Sequence, residues 1–412
     1  MSIALLPDEL VEIIFSFVRK KTAPPDQESH QTFASLALTS RRFVMLARSY
    51  LYFRPILQPF RHVTWEKAIA LCSALSSRLG RLVNSLEGIV DFVSEVGTLV
   101  EPRTPLSFQL AREGREGYTE AFSLYYALLK ACPTVVFTEL IFNSIGHLAK
   151  VVEALESSSA PLKTVRFTNS AFSSYYFLTE ALVLRALRRK RFRTIENVEI
   201  GPIRKSSRFN EPKVGLPLKS LSFFGGVYFR TLLPKDPSAL SSIAIEQGDL
   251  TSAEIVWLID HLPPTITSFH LSRMGHPSAV LALYQSAWRS ALPIDAFSRL
   301  TSLSHLALQG YTISLELLKC LASSSPSVSS LDFMESIWIP SPSSRDVPRR
   351  SSDSLSGIVE PDDLLDQLLE FKQLTRVHLG TLPTTTRQTY SVIEEELGEK
   401  RGIEVDWTVC RS

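Results

Sequence analysis

The sequence predicts an α/β fold in which short parallel strands and helices alternate along a solenoid, behind a small N-terminal three-helix module. Three observations lead there. From Phe137 onward a six-residue unit, L-x-x-L-x-L with any large apolar residue in the L slots, recurs nine times. Apolar residues at helical spacing fill several of the intervals between recurrences. The first fifty or so residues carry a separate helical pattern, interrupted by a polar stretch.

The N-terminal module begins at Leu6-Pro7-Asp8-Glu9-Leu10. Pro7 suits the first helical position, where a missing N–H leaves nothing unsatisfied, and Asp8 and Glu9 place negative charge at the positive dipole end. Leu10, Ile13, Ile14, Phe17 and Val18 then follow at i, i+3, i+4, i+7 and i+8, an apolar stripe that needs a cover. A second apolar run, Thr32 to Phe43, breaks at Thr39-Ser40, where Ser40 is placed to cap a further helix lined by Phe43, Leu46, Ala47, Tyr50 and Leu51. Three short helices bury too little surface to stand alone, so a partner or a neighbouring domain is expected.

LPDELVEIIFSFV followed by SLALTSRRFVMLARSYLYFRPIL resembles an F-box, in the divergent form common in fungal proteins, over residues 5–57. The resemblance implies binding to the Skp adaptor and, through it, to the cullin of an SCF-type cullin–RING ubiquitin ligase. Leu6 and Pro7 match the family's opening pair, Leu10, Ile13, Ile14 and Phe17 its first apolar stripe, and Leu38, Phe43 and Leu46 its later contact positions. Phe43 stands where the family often has Trp, Ser40 where it often has Cys, and the insertion Arg19 to Gln31 is longer than usual. None of these changes removes an apolar anchor.

After residue 57 the reading is a solenoid to residue 412: irregular over 58–136, clearly repeating over 137–380, and closed by a terminal helix and strand over 385–409. Thr64 is placed to cap a helix lined by Ala68, Ile69, Cys72, Leu75 and Leu79, a strand-like run covers Leu86 to Val93, and 97–117 is punctuated by Pro and Gly as a loop. The repeat slots are then Phe137-Leu140-Phe142, Leu162-Val165-Phe167, Ile195-Val198-Ile200, Leu218-Leu221-Phe223 and Leu240-Ile243-Ile245. Ile266-Phe269-Leu271, Leu303-Leu306-Leu308, Val328-Leu331-Phe333 and Leu374-Val377-Leu379 continue the series, with Ile403 and Val405 as a half-unit.

Most intervals lie near the leucine-rich period of roughly 20–29 residues. Helical stripes Leu148-Val151-Val152-Leu155, Ile255-Val256-Ile259-Leu262 behind a Thr251-x-x-Glu254 capping box, and Leu364-Leu365-Leu368-Leu369 after Pro361 fall between slots. Each strand and helix leaves an apolar face that only its neighbours can bury, so the units are expected to stack with strands on the concave side and helices on the convex. The array resembles the leucine-rich repeats that often follow F-boxes, without the asparagine that usually follows each strand, so the turns must satisfy their backbone otherwise. A doubly wound sheet would alternate strand and helix too, but it brings a glycine-rich strand-to-helix turn, and neither GxGxxG nor GxxxxGK[ST] occurs.

The Ser- and Pro-rich segment Ser336 to Pro361 is expected to be a mobile, disordered loop that interrupts the array. Limited proteolysis should therefore cut it first, because exposed Ser- and Pro-rich chain offers extended backbone to a protease. Primary cleavage within Leu303 to Leu308 would overturn the repeat assignment.

Composition narrows the function. A formal net charge of +2 lacks the broad basic excess of a nucleic-acid or anionic-membrane binder. No apolar stretch approaches eighteen residues, and Asp8, Glu9 and Glu12 stand where a signal peptide would be basic, so a cytoplasmic or nuclear protein is expected. Cys72, Cys132, Cys320 and Cys410 form no CxxC pair and read as packed thiols. GxSxG and HExxH are absent, so no catalysis, metal or cofactor is expected. The basic run Arg188-Arg189-Lys190-Arg191, with Arg185 and Arg193, reads first as the solvated end of a helix, and more sharply as an import signal or a phosphate contact.

If the fourth and sixth slots of each unit point inward, the third, fifth and seventh form the opposite face. That face would carry Arg166, Glu199, Phe224, Glu246 and His270, then His305, Asp332, Met334, Arg376 and His378. It is polar and nearly charge-balanced, which suits a target protein better than a hydrophobic ligand. The functional expectation is a non-catalytic substrate receptor, the alternative being a repeat scaffold that is not assembled into a ligase.

Overall fold

The computed structural model describes residue 11 and residues 27–39, 41–53, 70, 73–75, 79–86, 125–140, 145–156, 162–168, 179–201, 215–225, 229–248, 250–273, 292–339, 359–383 and 387–410. The chain divides into two compact units, Met1–Pro212 and Lys213–Ser412.

The first unit opens with two helices, α1 (Gln27–Thr39) and α2 (Arg41–Phe53), packed on each other. Val11, Phe33, Phe43 and Ala47 form their shared core, and Phe33 stacks on Tyr50 with ring centroids 5.1 Å apart. Strands follow: β1 (Ser85–Leu86), β2 (Phe137–Leu140), β3 (Thr164–Phe167) and β4 (Asn197–Ile200), each parallel to the next. A helical segment at 125–131, then α3 (Ile145–Glu156) and α4 (Glu180–Leu187), provide helices before or between the strands. The strand expected from Leu86 is described at Ser85–Leu86 and pairs with β2, so the array begins one strand before the first recognised repeat.

The second unit carries β5 (Ser220–Phe224), α5 (Phe229–Leu232), β6 (Ser242–Glu246), α6 (Ser252–Asp260), β7 (Ser268–Ser272), α7 (Ile294–Phe297) and β8 (His305–Gln309). After these come β9 (Thr312–Ser314), α8 (Leu315–Ser324), β10 (Ser330–Asp332), β11 (Ile337–Ile339), α9 (Pro361–Leu369), β12 (Arg376–Pro383), α10 (Arg387–Ile393) and β13 (Glu404–Cys410). Its strands run in the order β5-β6-β7-β8-β10-β12-β13, and every pairing described within that order is parallel. Helices α6, α7, α8, α9 and α10 pack in chain order, each on the next. This is the α/β repeat that the periodicity implies.

From Leu162 to Leu379 the repeat slots are the core: in eight successive units no slot side chain is more than 6% exposed. The first repeat is the exception and corrects the sequence reading. Phe137 pairs with Thr164 and Leu140 with Phe167, so the buried slots are Val135, Thr138 and Leu140, two residues earlier than the apolar pattern suggests. Thr138, polar yet fully buried, hides the slot from a hydrophobicity count. A shift of two preserves side-chain parity, so Glu139 stays on the polar face.

The turns solve the missing-asparagine problem with hydroxyls. In the last five repeats the second residue, between the first two slots, is Ser241, Thr267, Ser304, Ser329 or Thr375, and each donates its side-chain O–H to the carbonyl of the second residue one repeat earlier. The five bonds, from Lys219 O upward, are 2.9–3.1 Å long. The same carbonyls also accept backbone N–H groups of the following unit. Thr267→Val keeps the shape and removes one rung; it should cost about 0.5–1 kcal/mol, the low end for a hydrogen bond because water reaches this turn. A lower denaturation midpoint at unchanged slope checks it, and no shift would mean the rung is incidental.

Helix ends follow the sequence closely. Thr251 and Glu254 form the expected capping box, with Thr251 N–H donating to Glu254 Oε2 at 2.9 Å, and Pro361 opens α9. The reading of Ser336 to Pro361 as a mobile loop is corrected at its two described ends, residues 336–339 and 359–361. Ile337–Ile339 pair with β9, and the Trp338 indole is buried, donating to Leu379 O at 2.6 Å. At the other end Val359 is buried and its carbonyl accepts the Tyr390 hydroxyl at 2.7 Å. Isolated large side chains, Trp338 above all, anchor what composition alone marks as loop. The close approach of this segment requires glycine at 380, because Phe333 O and Ser336 O lie within 2.7 Å of where a Cβ on Gly380 would sit, at φ +82.

Candidate interaction surface

Alternating burial along the strands leaves three rows of outward side chains, and the register fixes which residues stand level. In the first unit Glu139, Arg166 and Glu199 form one row across β2, β3 and β4. Arg166 Nη1 lies 3.1 Å from Glu139 Oε1 and its Nε 2.5 Å from Glu199 Oε2. Partial burial works against its charge, but the hydrogen bond and charge of Glu199, with Glu139, outweigh that and raise its pKa. The guanidinium also covers the Phe137 ring, 5.4 Å from its centroid. On the neighbouring row Asn197 Nδ2 donates to Thr164 Oγ1 at 3.0 Å. The sequence reading put Arg166 and Glu199 on this face; that Glu139 stands level with both follows only from the register.

In the second unit Ala244, His270, Ala307, Asp332, His378 and Asp406 stand level across six strands. His305 belongs to another row, between Ser268 and Ser330. His270 and Asp332 therefore sit two strands apart with Ala307 between them, and His270, His305 and Asp332 do not share one row. Among the described residues no group of His, Cys, Asp or Glu is arranged to hold a metal ion.

Asp332 is occupied locally: Oδ2 accepts from Gln309 Nε2 at 2.8 Å and Oδ1 from the Met334 N–H at 2.9 Å. His378 Nδ1 accepts the Gly380 N–H at 3.1 Å, which puts the ring proton of the neutral form on Nε2. Arg376 reaches Glu404 and Asp406 on β13 at 3.6 and 3.5 Å. Both face arginines are thus flanked by two carboxylates, and Phe224 and Met334, 37% and 38% exposed, are the large apolar groups near the strand ends. Glu246 closes β6 beside Phe224 of β5.

Small residues fill the rest. Ser220, Ser222, Ser242, Ala244, Ser268, Ala307 and Ser330 leave the strands of the second unit thinly covered on this side.

Of the residues expected to bind the adaptor, Leu6, Pro7, Leu10, Ile13, Ile14 and Phe17 lie outside the described residues. Leu38, at the end of α1, is 89% exposed, whereas Phe43 is buried between the helices and Leu46 packs partly against it. Phe43 therefore holds the helical pair together, and among the described residues Leu38 is the large apolar side chain that the pair presents outward. Among the described residues no helix is long and apolar enough to cross a membrane; Cys132 is buried and Cys320 partly buried, the second with its pKa raised chiefly by burial.

No known protein family matches the chain, and no curated protein does. Among solved structures, a crystal structure of the Rad7 and Elc1 complex in yeast is similar at 12% identity and a TM-score of 0.24, over 81% of this chain and 97% of the matched one. Agreement that loose carries no argument about function.

Proposed function

We propose that this chain is a substrate-recognition subunit of an SCF-type cullin–RING ubiquitin ligase, without catalysis of its own. The N-terminal helical module would bind the Skp adaptor, and the outward strand rows a target protein. The observation that carries the reading is the Leu6-Pro7-x-x-Leu10 opening with its apolar stripe, set before a helical pair that leaves Leu38 exposed and followed by an α/β repeat. The row Glu139-Arg166-Glu199 and the group Arg376, Glu404 and Asp406 suit polar contacts with a protein. Affinity purification of the tagged full chain is the test. Skp adaptor and cullin should co-purify, and their absence would leave a repeat scaffold outside any ligase.

A further inference from the structure

We infer that the outer edge of β13 is a self-association surface, on which the same strand of a second copy of this chain pairs antiparallel about Trp407, independent of the ligase reading. Among the described residues β13 pairs with β12 alone and stands last in the strand order. Its core side is incompletely covered too. Val405 stands level with Val377, a fully buried slot, yet Val405 and Trp407 are only half-buried, whereas the slots of the eight repeats from Leu162 to Leu379 are at most 6% exposed. A repeat strand buries its apolar side against the units next to it, so these two positions lack the cover that a further strand would give.

The backbone of β13 is set to take one. Glu404 N–H donates to Thr375 O at 2.9 Å, and alternation along the strand turns the backbone groups of Glu404 and Asp406 toward β12. Val405 and Trp407 therefore direct their N–H and C=O groups to the outer edge. The irregularity in the ladder falls on the β12 side, where the register runs from His378 to Thr381 against Asp406 to Thr408, so β13 itself stays regular. No Pro or Lys interrupts Glu404–Cys410. Of the devices that commonly blunt an edge only charge is present, and Arg376 flanks both Glu404 and Asp406.

The sequence of the strand selects a second copy as the occupant. Val405, Trp407 and Val409 alternate with Glu404, Asp406 and Thr408, an apolar and polar pattern that reads the same in both directions about Trp407. Two antiparallel copies centred there pair Val405 with Val409, Asp406 with Thr408 and Glu404 with Cys410, so apolar positions meet apolar ones and no carboxylate stands directly opposite another. Residues 405, 407 and 409 then exchange N–H···O bonds reciprocally, as a two-fold interface requires. Registers centred on Val405 or Asp406 fail, because they set Glu404 against Asp406 or Asp406 against itself. Centring on Trp407 also engages the strand from end to end.

Sedimentation equilibrium of the purified full chain tests it, and a monomer–dimer equilibrium is expected, with the dimer fraction rising with concentration. Val405→Pro removes an outward donor that β12 does not use, at an orientation where an edge strand tolerates proline. Two hydrogen bonds are lost per dimer, so the dissociation constant should rise about thirtyfold. Thr408→Lys sets an opposite charge across from the second copy's Asp406 twice in each dimer and should tighten association about fivefold, whereas Thr408→Asp should loosen it by a similar factor. The Thr408 variants leave the apolar positions untouched, so they test the register should Val405→Pro misfold. A chain that stays monomeric at every concentration leaves the edge to another occupant and overturns the inference, as does a dimer that the two Thr408 variants fail to shift in opposite directions. Adaptor co-purification is a separate readout, so failure here leaves the ligase reading standing.

Discussion

Replacing both Ile13 and Phe17 with aspartate should abolish co-purification of the Skp adaptor while the repeats stay folded. Val11 is buried against Phe33, Phe43 and Ala47, so it belongs to the inside of the helical module. On the helix that the sequence predicts, turning about 100° per residue, Ile13 and Phe17 would stand about 200° and 240° around from Val11, on the apolar stripe expected to meet the adaptor. Burying each against a partner would contribute about 1.5–3 kcal/mol, and two unpaired carboxylates in the same contact would reverse the sign. Leu38→Asp is the milder companion: its side chain is 89% exposed, so the change leaves the helical pair intact and weakens the adaptor contact alone. Survival of adaptor binding in the double variant, with far-ultraviolet circular dichroism unchanged, would remove the F-box reading.

The largest stability effect should come from Phe269→Ala, at about 3–5 kcal/mol. Phe269 is fully buried on β7, between β6 and β8, and meets Phe297 edge-on with ring centroids 5.9 Å apart. Truncation would leave a cavity where neighbouring slots Ile243 and Leu306 are already packed. For a unit of this size the melting temperature should fall by about 2–4 °C per kcal/mol. A loss below about 1 kcal/mol would mean that the site collapses to fill the gap or that the slot is not a core position. His270→Ala, on the outward row beside it, should by contrast change stability little, because it removes no apolar packing from the slot core.

These two positions mark how far the chain could be read before its fold was known. Phe269 was legible because burial in a repeat strand leaves a local trace: slots three and two residues apart, recurring at a leucine-rich period, and each is buried where expected from Leu162 to Leu379. Capping signals such as Thr251 with Glu254, and Pro361, were legible for the same reason, since a helix end is satisfied by residues within one turn. Where a slot is polar the trace fails. Thr138 displaced the first unit by two residues, and only its pairing with Val165 shows it.

What stands beside what is a different kind of information. The outward face of each strand follows from alternation alone, so Arg166, His270, His305 and Asp332 were placed on it from the sequence. Their separation into rows was not, because register depends on how each intervening helix and loop returns the chain. Glu139 came level with Arg166 and Glu199, and Arg376 came between Glu404 and Asp406, through pairings across 27 to 33 residues in one case and the β12–β13 register in the other. The Ser and Thr ladder and the Trp338 anchor on Leu379 belong to the same class. Local patterning sets which residues are buried, since hydrophobicity is a property of each side chain. Only the folded chain decides which charges and hydroxyls meet, since that depends on contacts between residues far apart along it.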